Sequence, residues 1–448
     1  MSLPQTFCYF TLGCKVNQYE AQQLRQFIED IGLQKASPKA KPDVVIINSC
    51  CVTHTASAKT RNFISKARKL NPDAKIIVRG CLPESQTGEV HDINNGIYLI
   101  GHQPDIARKL LEIIYDYTAQ SAAVDVISKP PLVHKIKNKN NLPQTLAPLS
   151  SFAGQTRAFL KIQDGCDGFC TYCIVRKLRT NLYSKAPSDV LDEARRLVNA
   201  GHKEIILTGI FLGAYGRDTV RRNQWDQSTP SPLAKIVDQI ARIAGLARLR
   251  LSSLEPADLT PELLDVFTRH PEVIAPHLHL PLQSGSDTIL KKMCRQYNIY
   301  QFLAVIDTLK STLDRPAITT DIIVGFPGET QDDFQKTVDI AKKVEFAKMH
   351  IFPFSSRLGT PAADFEPKVP QHILTSREDE LTSLDSELSL KFKLQFINET
   401  ASVIVEAGAK GRTQRYFALK LPPSLEKGSL VNVIVTPQTL LNDNDLPA

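Results

Sequence analysis

The sequence has no apolar run that approaches the roughly 18–20 residues of a membrane-spanning helix. Residues 1–5 lack the basic and apolar segments of a secretory signal. The net charge is only +7 over 448 residues, which permits a nucleic-acid partner without requiring one. These absences predict a cytoplasmic protein that has no membrane contact. In that reducing compartment its nine cysteines are expected to be ligands or small buried residues, not disulfides.

The chain is longer than one hydrophobic core usually serves, so two or three domains are expected. In residues 1–120, apolar strands alternate with amphipathic helices, which is typical of a parallel sheet. The predicted strands there are residues 6–12, 44–48 and 75–79, and the predicted helices are residues 19–31, 56–70 and 104–117. Residues 121–151 contain many Lys, Asn and Pro, which predicts an extended basic linker.

Residues 152–385 repeat strand–helix units. The predicted strands are residues 158–163, 204–208, 248–252, 277–282, 318–324 and 348–352, and the predicted helices are residues 188–199, 233–243, 261–270, 300–313 and 330–344. This series predicts an α/β fold, a partial (β/α)6 barrel with its chemistry at the carboxyl ends of the strands. In residues 386–448 a period of two, interrupted by Gly and Pro, predicts a small antiparallel β-barrel.

The strongest local signal is a set of three cysteines, Cys166, Cys170 and Cys173, just after the first barrel strand. Three thiolates at this spacing can bind three irons of a 4Fe–4S cluster, whose ligands are typically four cysteines, so that one iron stays open. An open iron could bind the amino and carboxylate groups of S-adenosylmethionine and pass an electron to its sulfonium. A structural zinc site would need a fourth Cys or His, which residues 174–193 do not contain. Simple packing in the core is the remaining alternative.

A second, dispersed set consists of Cys14, Cys50 and Cys81, each of which closely follows a predicted strand. Parallel strands bring their carboxyl ends together at one edge of the sheet, where ligands bind in such folds. These three cysteines are therefore expected to converge in a second metal or cluster site, with chance coincidence as the alternative. Cys51 points the other way in an extended segment and is expected to pack in the core.

Several segments resemble the methylthiotransferases of the radical S-adenosylmethionine superfamily. They are the Cys166–Cys173 spacing and the stretches TLGCKVNQYE at 11–20, NSC at 48–50, GC at 80–81, HLPLQSG at 279–285 and DIIVGFPGET at 321–330. The resemblance covers nearly the whole chain, including a terminal barrel similar to a TRAM domain. Residues 15–20 are most similar to the branch that acts on N6-threonylcarbamoyladenosine at position 37 of tRNA.

This resemblance implies an enzyme with two 4Fe–4S clusters that uses two molecules of S-adenosylmethionine per turnover. The cluster on Cys166, Cys170 and Cys173 would cleave the first molecule to methionine and a 5′-deoxyadenosyl radical, which takes hydrogen from C2 of the adenine. A cluster held by the other three cysteines would present sulfur, which the second molecule methylates. The expected partner is the anticodon loop of tRNA, and the protein is expected to be a monomer. The protein's share would be to position both clusters around the adenine and to exclude solvent.

Five residues at the ends of later barrel strands are expected to contact S-adenosylmethionine: Gly209, Glu255, Ser284, Gly325 and Phe326. Phe326 could stack on the adenine of the cofactor, although a core position is its usual alternative. For Gly209 the alternative is a glycine that merely ends a strand.

The chain also departs from the family pattern at two places. Residues 174–184 replace a Pro and an Arg-Gly-rich stretch, and Phe211 replaces a common His. These changes bring the substrate contacts into question. In the terminal barrel, basic groups around Tyr416 and Phe417 are typical of RNA contacts, unless Phe417 is core. The basic residues in question are Lys410, Arg412, Arg415 and Lys420.

Three other functions remain open at this point. The target could be an isopentenylated adenosine or a protein side chain. The chain could also be a radical enzyme that has only the central cluster. A non-catalytic RNA-binding protein with structural zinc is the alternative from another class.

Overall fold

The computed structural model describes residues 3–85, 96–102, 105–115, 144–226 and 230–441. The chain forms two compact units, Met1–Leu149 with Lys177–Arg179, and Ser150–Arg176 with Thr180–Ala448. Most of the predicted linker lies outside the described residues, and the division into three domains stays a prediction. None of the helices described here is long and apolar enough to cross a membrane.

The first unit is built on a five-stranded sheet in the order β2-β1-β3-β4-β5, in which every pair of neighbours is parallel. The strands are β1 Thr6–Thr11, β2 Gln34–Lys35, β3 Val44–Ser49, β4 Lys75–Gly80 and β5 Ile97–Ile100. The helices are Lys15–Asp30, His54–Leu70 and Ile106–Tyr115, with a short 3-10 helix at Pro38–Ala40.

The parallel sheet follows from the burial of its central strands. Every residue of β3 is buried, as expected for a strand that is covered on both faces. Leu24, Phe27 and Ile28 of the first helix pack with Phe7 and Ile46 of the sheet in one apolar core. The two flanking strands were not predicted, because β2 has two exposed residues and β5 is a four-residue apolar run that periodicity cannot assign.

The second unit contains six parallel strands that follow one another in chain order. Two three-stranded sheets, β6-β9-β10 and β11-β12-β13, are joined by a parallel bridge between Ser253 and His279. The six strands are β6 Arg157–Lys161, β9 Glu204–Thr208, β10 Arg248–Leu251, β11 His277–His279, β12 Ala317–Val324 and β13 Lys348–Pro353, and a two-stranded ribbon is formed by β7 Gln163–Asp164 and β8 Tyr183–Ser184. The expected parallel α/β architecture is therefore confirmed.

Helices connect these strands, and the last two residues of the first helix belong to the first unit. They are Val175–Leu178, Pro187–Asn199, Pro232–Ala241, Pro261–Arg269, Asp287–Lys292, Ile299–Thr312, Gln331–Val344 and Gln371–Leu394. Single 3-10 turns are found at Leu212–Ala214, Arg222–Gln224, Pro256–Asp258 and Pro361–Asp364. Strand β11 ends at His279, three residues before its predicted end, and Pro281 just beyond it has no N–H with which to continue a ladder.

The C-terminal sheet is antiparallel, with the order β16-β15-β14-β17. Its strands are β14 Thr400–Glu406, β15 Lys410–Thr413, β16 Ala418–Lys420 and β17 Leu430–Ile434. Strand β15 was not predicted, because Gly411 suggested a turn. An added Cβ at Gly411 would lie 2.5 Å from Val403 Cγ1, so close packing explains this glycine. The likeness to a TRAM domain stays a prediction.

Candidate metal centres and cofactor site

The cysteines of the first unit lie at one edge of its sheet. Cys14 precedes the helix Lys15–Asp30 after β1, Cys50 follows β3 directly, and Cys81 follows β4 directly. Strands β1, β3 and β4 are neighbours, and a Cβ added at Gly13, the residue before Cys14, would lie 3.1 Å from Cys50 Sγ. The three thiols are therefore brought into one neighbourhood, which we call the sheet-edge trio. Cys51 is fully buried and its thiol donates to the Cys81 carbonyl at 3.2 Å.

Two glycines allow the backbone to turn into this trio. Gly13 has φ +95°, and an added Cβ would lie 2.8 Å from the Cβ of Cys50. Gly80 has φ +99°, and an added Cβ would lie 2.4 Å from the Ser49 carbonyl oxygen. At both positions a side chain is disfavoured by the positive φ and by the lack of room for a Cβ. This explains why a glycine precedes Cys14 and Cys81.

A buried polar network supports the sheet-edge trio. Arg179 makes two 2.9 Å contacts with the carboxylate oxygens of Glu20 and donates to Asn17 Oδ1 at 3.1 Å. Asn17 Nδ2 in turn donates to the carbonyls of Leu12 and Ser49, at 3.0 and 2.9 Å. The network therefore ties together the ends of β1 and β3, from which Cys14 and Cys50 project.

Arg179 also affects the cysteines electrostatically. Burial raises the pKa of the Cys81 thiol well above its usual value, and the nearby Arg179 guanidinium opposes this shift. The sequence marked residues 174–184 only as a departure from the family pattern. The structure shows that Arg179, within that stretch, belongs to the first unit.

The second trio, Cys166, Cys170 and Cys173, lies on the loop between β7 and the helix Val175–Leu178, and we call it the loop trio. The Gly168 N–H donates to Cys166 Sγ at 3.4 Å, and the Cys173 N–H donates to the Cys170 carbonyl at 3.2 Å. The three side chains are partly exposed.

Neighbouring segments hold this loop in place. The carboxylate of Asp167 accepts hydrogen bonds from Thr219 Oγ1 at 2.7 Å and from the Val220 N–H at 2.9 Å. The Thr171 hydroxyl donates to the Lys292 carbonyl at 2.9 Å. The loop is thus fixed on both sides of Cys170, which preorganises the thiols as ligands.

Burial suppresses ionisation of two thiols of the loop trio, those of Cys166 and Cys173. It raises the pKa of Cys166 to about 12 and that of Cys173 to about 11. Thiolate is the form that binds metal, so cationic iron must displace these protons when a cluster assembles.

The charged side chains beside the loop trio form a chain. Arg295 donates to Cys170 Sγ at 3.3 Å and to Glu255 Oε1 at 2.6 Å. Glu255 also accepts from Arg222 Nη2 at 3.2 Å. Glu255, one of the five predicted cofactor contacts, is therefore linked to Cys170 through a single residue, Arg295. Sequence reasoning missed Arg295, because nothing in the sequence connects it to a cysteine 125 residues earlier.

Gly209 lies beside the base of the same loop. An added Cβ at Gly209 would lie 3.0 Å from Gln163, whose amide donates to the Gly165 carbonyl at 2.9 Å. Gln163 Oε1 also accepts from the Phe211 N–H at 2.8 Å. This amide, another residue that the sequence did not single out, links the end of β9 to the loop that precedes Cys166.

The other three predicted cofactor contacts lie among packed groups. The Ser284 side chain is fully buried, with its hydroxyl 3.5 Å from Thr337 Oγ1. Phe326 is fully buried and makes edge-on ring contacts with Phe354 and Phe365. Gly325 has φ +75° and donates its N–H to Glu329 at 2.8 Å. Their roles as cofactor contacts stay predictions, and the observed packing of Phe326 is that of a core residue.

The donor sets fit iron–sulfur clusters better than single zinc ions. In a zinc site every thiolate sulfur lies about 2.3 Å from the same ion, so the sulfurs are close to one another. In a cubane each thiolate binds a separate iron, so the sulfurs lie further apart. In the described part of the chain, the ligand atoms that converge to within 4.8 Å of one another belong to His279, Asp321 and His350. Each trio offers three sulfurs, which suits a cubane with one open iron.

Comparison with known proteins assigns the family. Residues 160–341 match the family model described as "Radical SAM superfamily". Residues 6–101 match the family model described as "Uncharacterized protein family UPF0004". The chain is 36% identical to the threonylcarbamoyladenosine tRNA methylthiotransferase MtaB of Bacillus subtilis, over 90% of this chain and 86% of that protein. The chain belongs to the radical S-adenosylmethionine methylthiotransferase family. This methylthiotransferase is therefore a transferase that uses S-adenosylmethionine with a 4Fe–4S cluster.

Further relatives support the assignment. The methylthiotransferase is 36% identical to MtaB of Thermotoga maritima, over 88% of this chain and 85% of that protein. It is 32% identical to the tRNA-2-methylthio-N(6)-dimethylallyladenosine synthase of Corynebacterium efficiens, over 90% of this chain and 75% of that protein. Among solved structures, the radical S-adenosylmethionine methyltransferase TsrM from Kitasatospora setae aligns with a TM-score of 0.54 at 13% identity, covering 80% of this chain and 75% of that one. This last likeness concerns the fold alone.

Proposed function

We propose that this methylthiotransferase modifies tRNA at C2 of N6-threonylcarbamoyladenosine 37 and forms the 2-methylthio derivative. The observation that carries the proposal is the sheet-edge trio, since a second set of three thiols, in addition to the loop trio, gives the chain a place from which sulfur can be supplied. The MtaB relatives, 35–36% identical over 88–90% of the chain, support the choice of tRNA nucleoside.

The two trios have different tasks in this proposal. Cys166, Cys170 and Cys173 hold the cluster that, together with S-adenosylmethionine, supplies the radical chemistry. Cys14, Cys50 and Cys81 hold a second 4Fe–4S cluster that supplies the sulfur. The protein's own residues orient and charge-balance these sites.

Named side chains perform that supporting work. Arg295 donates a hydrogen bond to Cys170 Sγ and so orients this sulfur as a ligand. Glu255 holds Arg295 in position. Arg179 plays the corresponding part for Cys81 by opposing the effect of burial on its thiol.

Nucleoside analysis of a deletion strain tests the substrate. Mass spectrometry of total tRNA nucleosides should show loss of 2-methylthio-N6-threonylcarbamoyladenosine, with the unmethylthiolated nucleoside accumulating, and the wild-type gene should restore it. Loss of the methylthio group from isopentenyladenosine instead would favour the function of the Corynebacterium relative. Undiminished 2-methylthio-N6-threonylcarbamoyladenosine would reject the proposal.

Iron analysis tests the second cluster. The anaerobically reconstituted protein is expected to bind about eight irons per chain, four for each cubane. Cys50→Ala should lose about half of that iron because it removes a ligand of the sheet-edge trio. Cys51→Ala is the matched control. Cys51 is next to Cys50 in the sequence, but its thiol is buried in packing, so this variant should retain the iron content of the wild type. Equal iron in Cys50→Ala and the wild type would contradict the role of Cys50 as a ligand of a second cluster.

A further inference from the structure

The register of three barrel strands places polar residues on one face of the sheet. His279 of β11 pairs with Thr319 of β12, and Asp321 of β12 pairs with His350 of β13. Thr319 and Asp321 are two residues apart, so their side chains point to the same face. Paired residues of neighbouring strands share a face as well. The two imidazoles and the carboxylate are therefore neighbours because of strand alternation.

The side chains converge as closely as the ligands of one ion. One ligand atom from each of His279, Asp321 and His350 lies within 4.8 Å of the other two. The distance between His279 Nε2 and Asp321 Oδ2 is 3.3 Å. Two ligands held about 2.0–2.2 Å from a tetrahedral zinc ion are themselves about 3.4 Å apart, so this separation fits a shared metal.

A neighbouring hydroxyl orients His279 for such a role. Thr319 Oγ1 lies 3.0 Å from His279 Nδ1 and 3.3 Å from His277 Nε2. When the hydroxyl accepts from Nδ1–H and donates to His277, the Nε2 lone pair of His279 is left to face Asp321. Metal-binding histidines are commonly fixed in this way, through a hydrogen bond from the other ring nitrogen.

An ordinary ion pair elsewhere in the chain differs in each of these respects. His270 Nε2 lies 2.9 Å from Asp238 Oδ1, a normal hydrogen-bond distance, and two arginines share that carboxylate. The pair at His279 is longer, at 3.3 Å, and a second imidazole lies nearby, with the His279 and His350 ring centroids 5.7 Å apart. Two imidazoles and one carboxylate are a ligand set that suits zinc or ferrous iron.

We propose that His279, Asp321 and His350 bind one divalent transition-metal ion, zinc or ferrous iron, and leave its remaining coordination positions to oxygen ligands. This site uses none of the cysteines. It rests on the geometry of the sheet and not on the proposed tRNA function, so either proposal can fail without the other.

Metal analysis of the cluster-loaded protein tests this site. Wild type, Asp321→Asn and His350→Gln are reconstituted anaerobically, dialysed against micromolar Zn²⁺ and then against metal-free buffer, and analysed for zinc and iron together. The wild type should retain about one zinc per chain more than either variant, because each variant removes one of three ligands. Iron should be equal in all samples, because the cysteines are untouched and because zinc, which binds such nitrogen and oxygen ligands more tightly than ferrous iron, displaces any iron from this site during the first dialysis.

His270→Gln is the matched control, because it removes a histidine from a different ion pair, the one with Asp238. This variant should retain as much zinc as the wild type. Equal zinc in the wild type and both variants, at any level, overturns the proposal. If Asp321→Asn loses iron and is misfolded, His350→Gln decides, because His350 is exposed and its replacement disturbs no core packing.

Discussion

Arg179 supports the proposed second metal centre without being one of its ligands. Its guanidinium is buried against Glu20, with a second arginine, Arg79, 3.6 Å from the same carboxylate. Because Glu20 and Arg179 are 159 residues apart, sequence spacing gives no hint of the pair. The motif residues Asn17 and Glu20 stood out in the sequence, but their partner did not.

Arg179→Met is expected to destabilise the protein by about 3–5 kcal/mol, because it leaves the buried Glu20 carboxylate poorly compensated. Glu20→Gln should also destabilise it, and the double variant should lose less than the sum of the two, since neither charge is then stranded. Urea unfolding of the four proteins measures this. Arg195→Met is the control, since its pair with Asp192 is exposed and should contribute little. Strictly additive effects would contradict the assigned pairing.

Gly80→Ala is expected to destabilise the protein more than Gly201→Ala does. Both glycines have similar positive φ, +99° and +95°, for which an alanine costs about 1–2 kcal/mol. Only at Gly80 does the added Cβ also meet a backbone oxygen, that of Ser49, whereas Gly201 has open space. Thermal unfolding compares the two variants. A Gly80→Ala protein that is as stable as Gly201→Ala would show that the turn before Cys81 can relax.

At the level of elements, two arginines of β10 fasten the C-terminal sheet to the barrel within the second unit. Arg248 donates to the Ser402 and Arg412 carbonyls at 2.8 and 3.1 Å, and Arg250 donates to the Gln414 carbonyl at 3.1 Å. Both arginines also contact the buried Glu204, at 3.2 and 3.0 Å. A buried charge network therefore joins a parallel sheet to an antiparallel one.

Glu204→Gln is expected to lower the stability of the protein by about 3–5 kcal/mol at neutral pH, because it leaves the buried arginines without their anion. Burial raises the pKa of Glu204, but Arg250, Arg248 and Arg157 together lower it below its usual 4.5. A carboxylate with a lowered pKa stabilises the fold above pH 4.5, and this contribution is lost as the pH falls through the folded-state pKa. The gap between wild type and variant should therefore narrow in acid.

Urea unfolding at several pH values measures this gap. Asp265→Asn, which alters an exposed pair with Arg269, should behave like the wild type throughout. If the difference in unfolding free energy between the wild type and Glu204→Gln stays constant down to the lowest pH tested, Glu204 does not carry its charge in the folded protein.

The same elements show where sequence reasoning succeeds and where it stops. The central strands β3, β4 and β9 were predicted closely, because apolar runs between turn residues are local signals. The RNA contact of the C-terminal sheet stays a prediction. One of the aromatic residues that suggested it, Phe417, is buried in the core with Phe392 and Phe396. The positive charges there are also used internally, since Arg412 contacts Glu406 and Arg415 contacts Asp314. Such pairings depend on tertiary contacts that composition does not encode.

At the level of the whole molecule, each compact unit supports a set of three cysteines with a buried arginine–glutamate pair. In the first unit the cysteines follow three parallel strands, and in the second unit they lie on one loop after β7. The positions of the cysteines could be predicted from the sequence, because they follow recognisable strands. The supporting arginines, Arg179 and Arg295, could not, because their partners are remote along the chain.

The most direct test is one assay that distinguishes the proposed function of the loop trio from that of the sheet-edge trio. Purified, anaerobically reconstituted protein is incubated with S-adenosylmethionine, a reductant and tRNA that carries N6-threonylcarbamoyladenosine, and both 5′-deoxyadenosine and the methylthiolated nucleoside are measured by mass spectrometry. Wild type should form both products, Cys170→Ala neither, and Cys50→Ala only 5′-deoxyadenosine. Formation of the methylthiolated nucleoside by Cys50→Ala at the wild-type rate would contradict the division of labour between the trios.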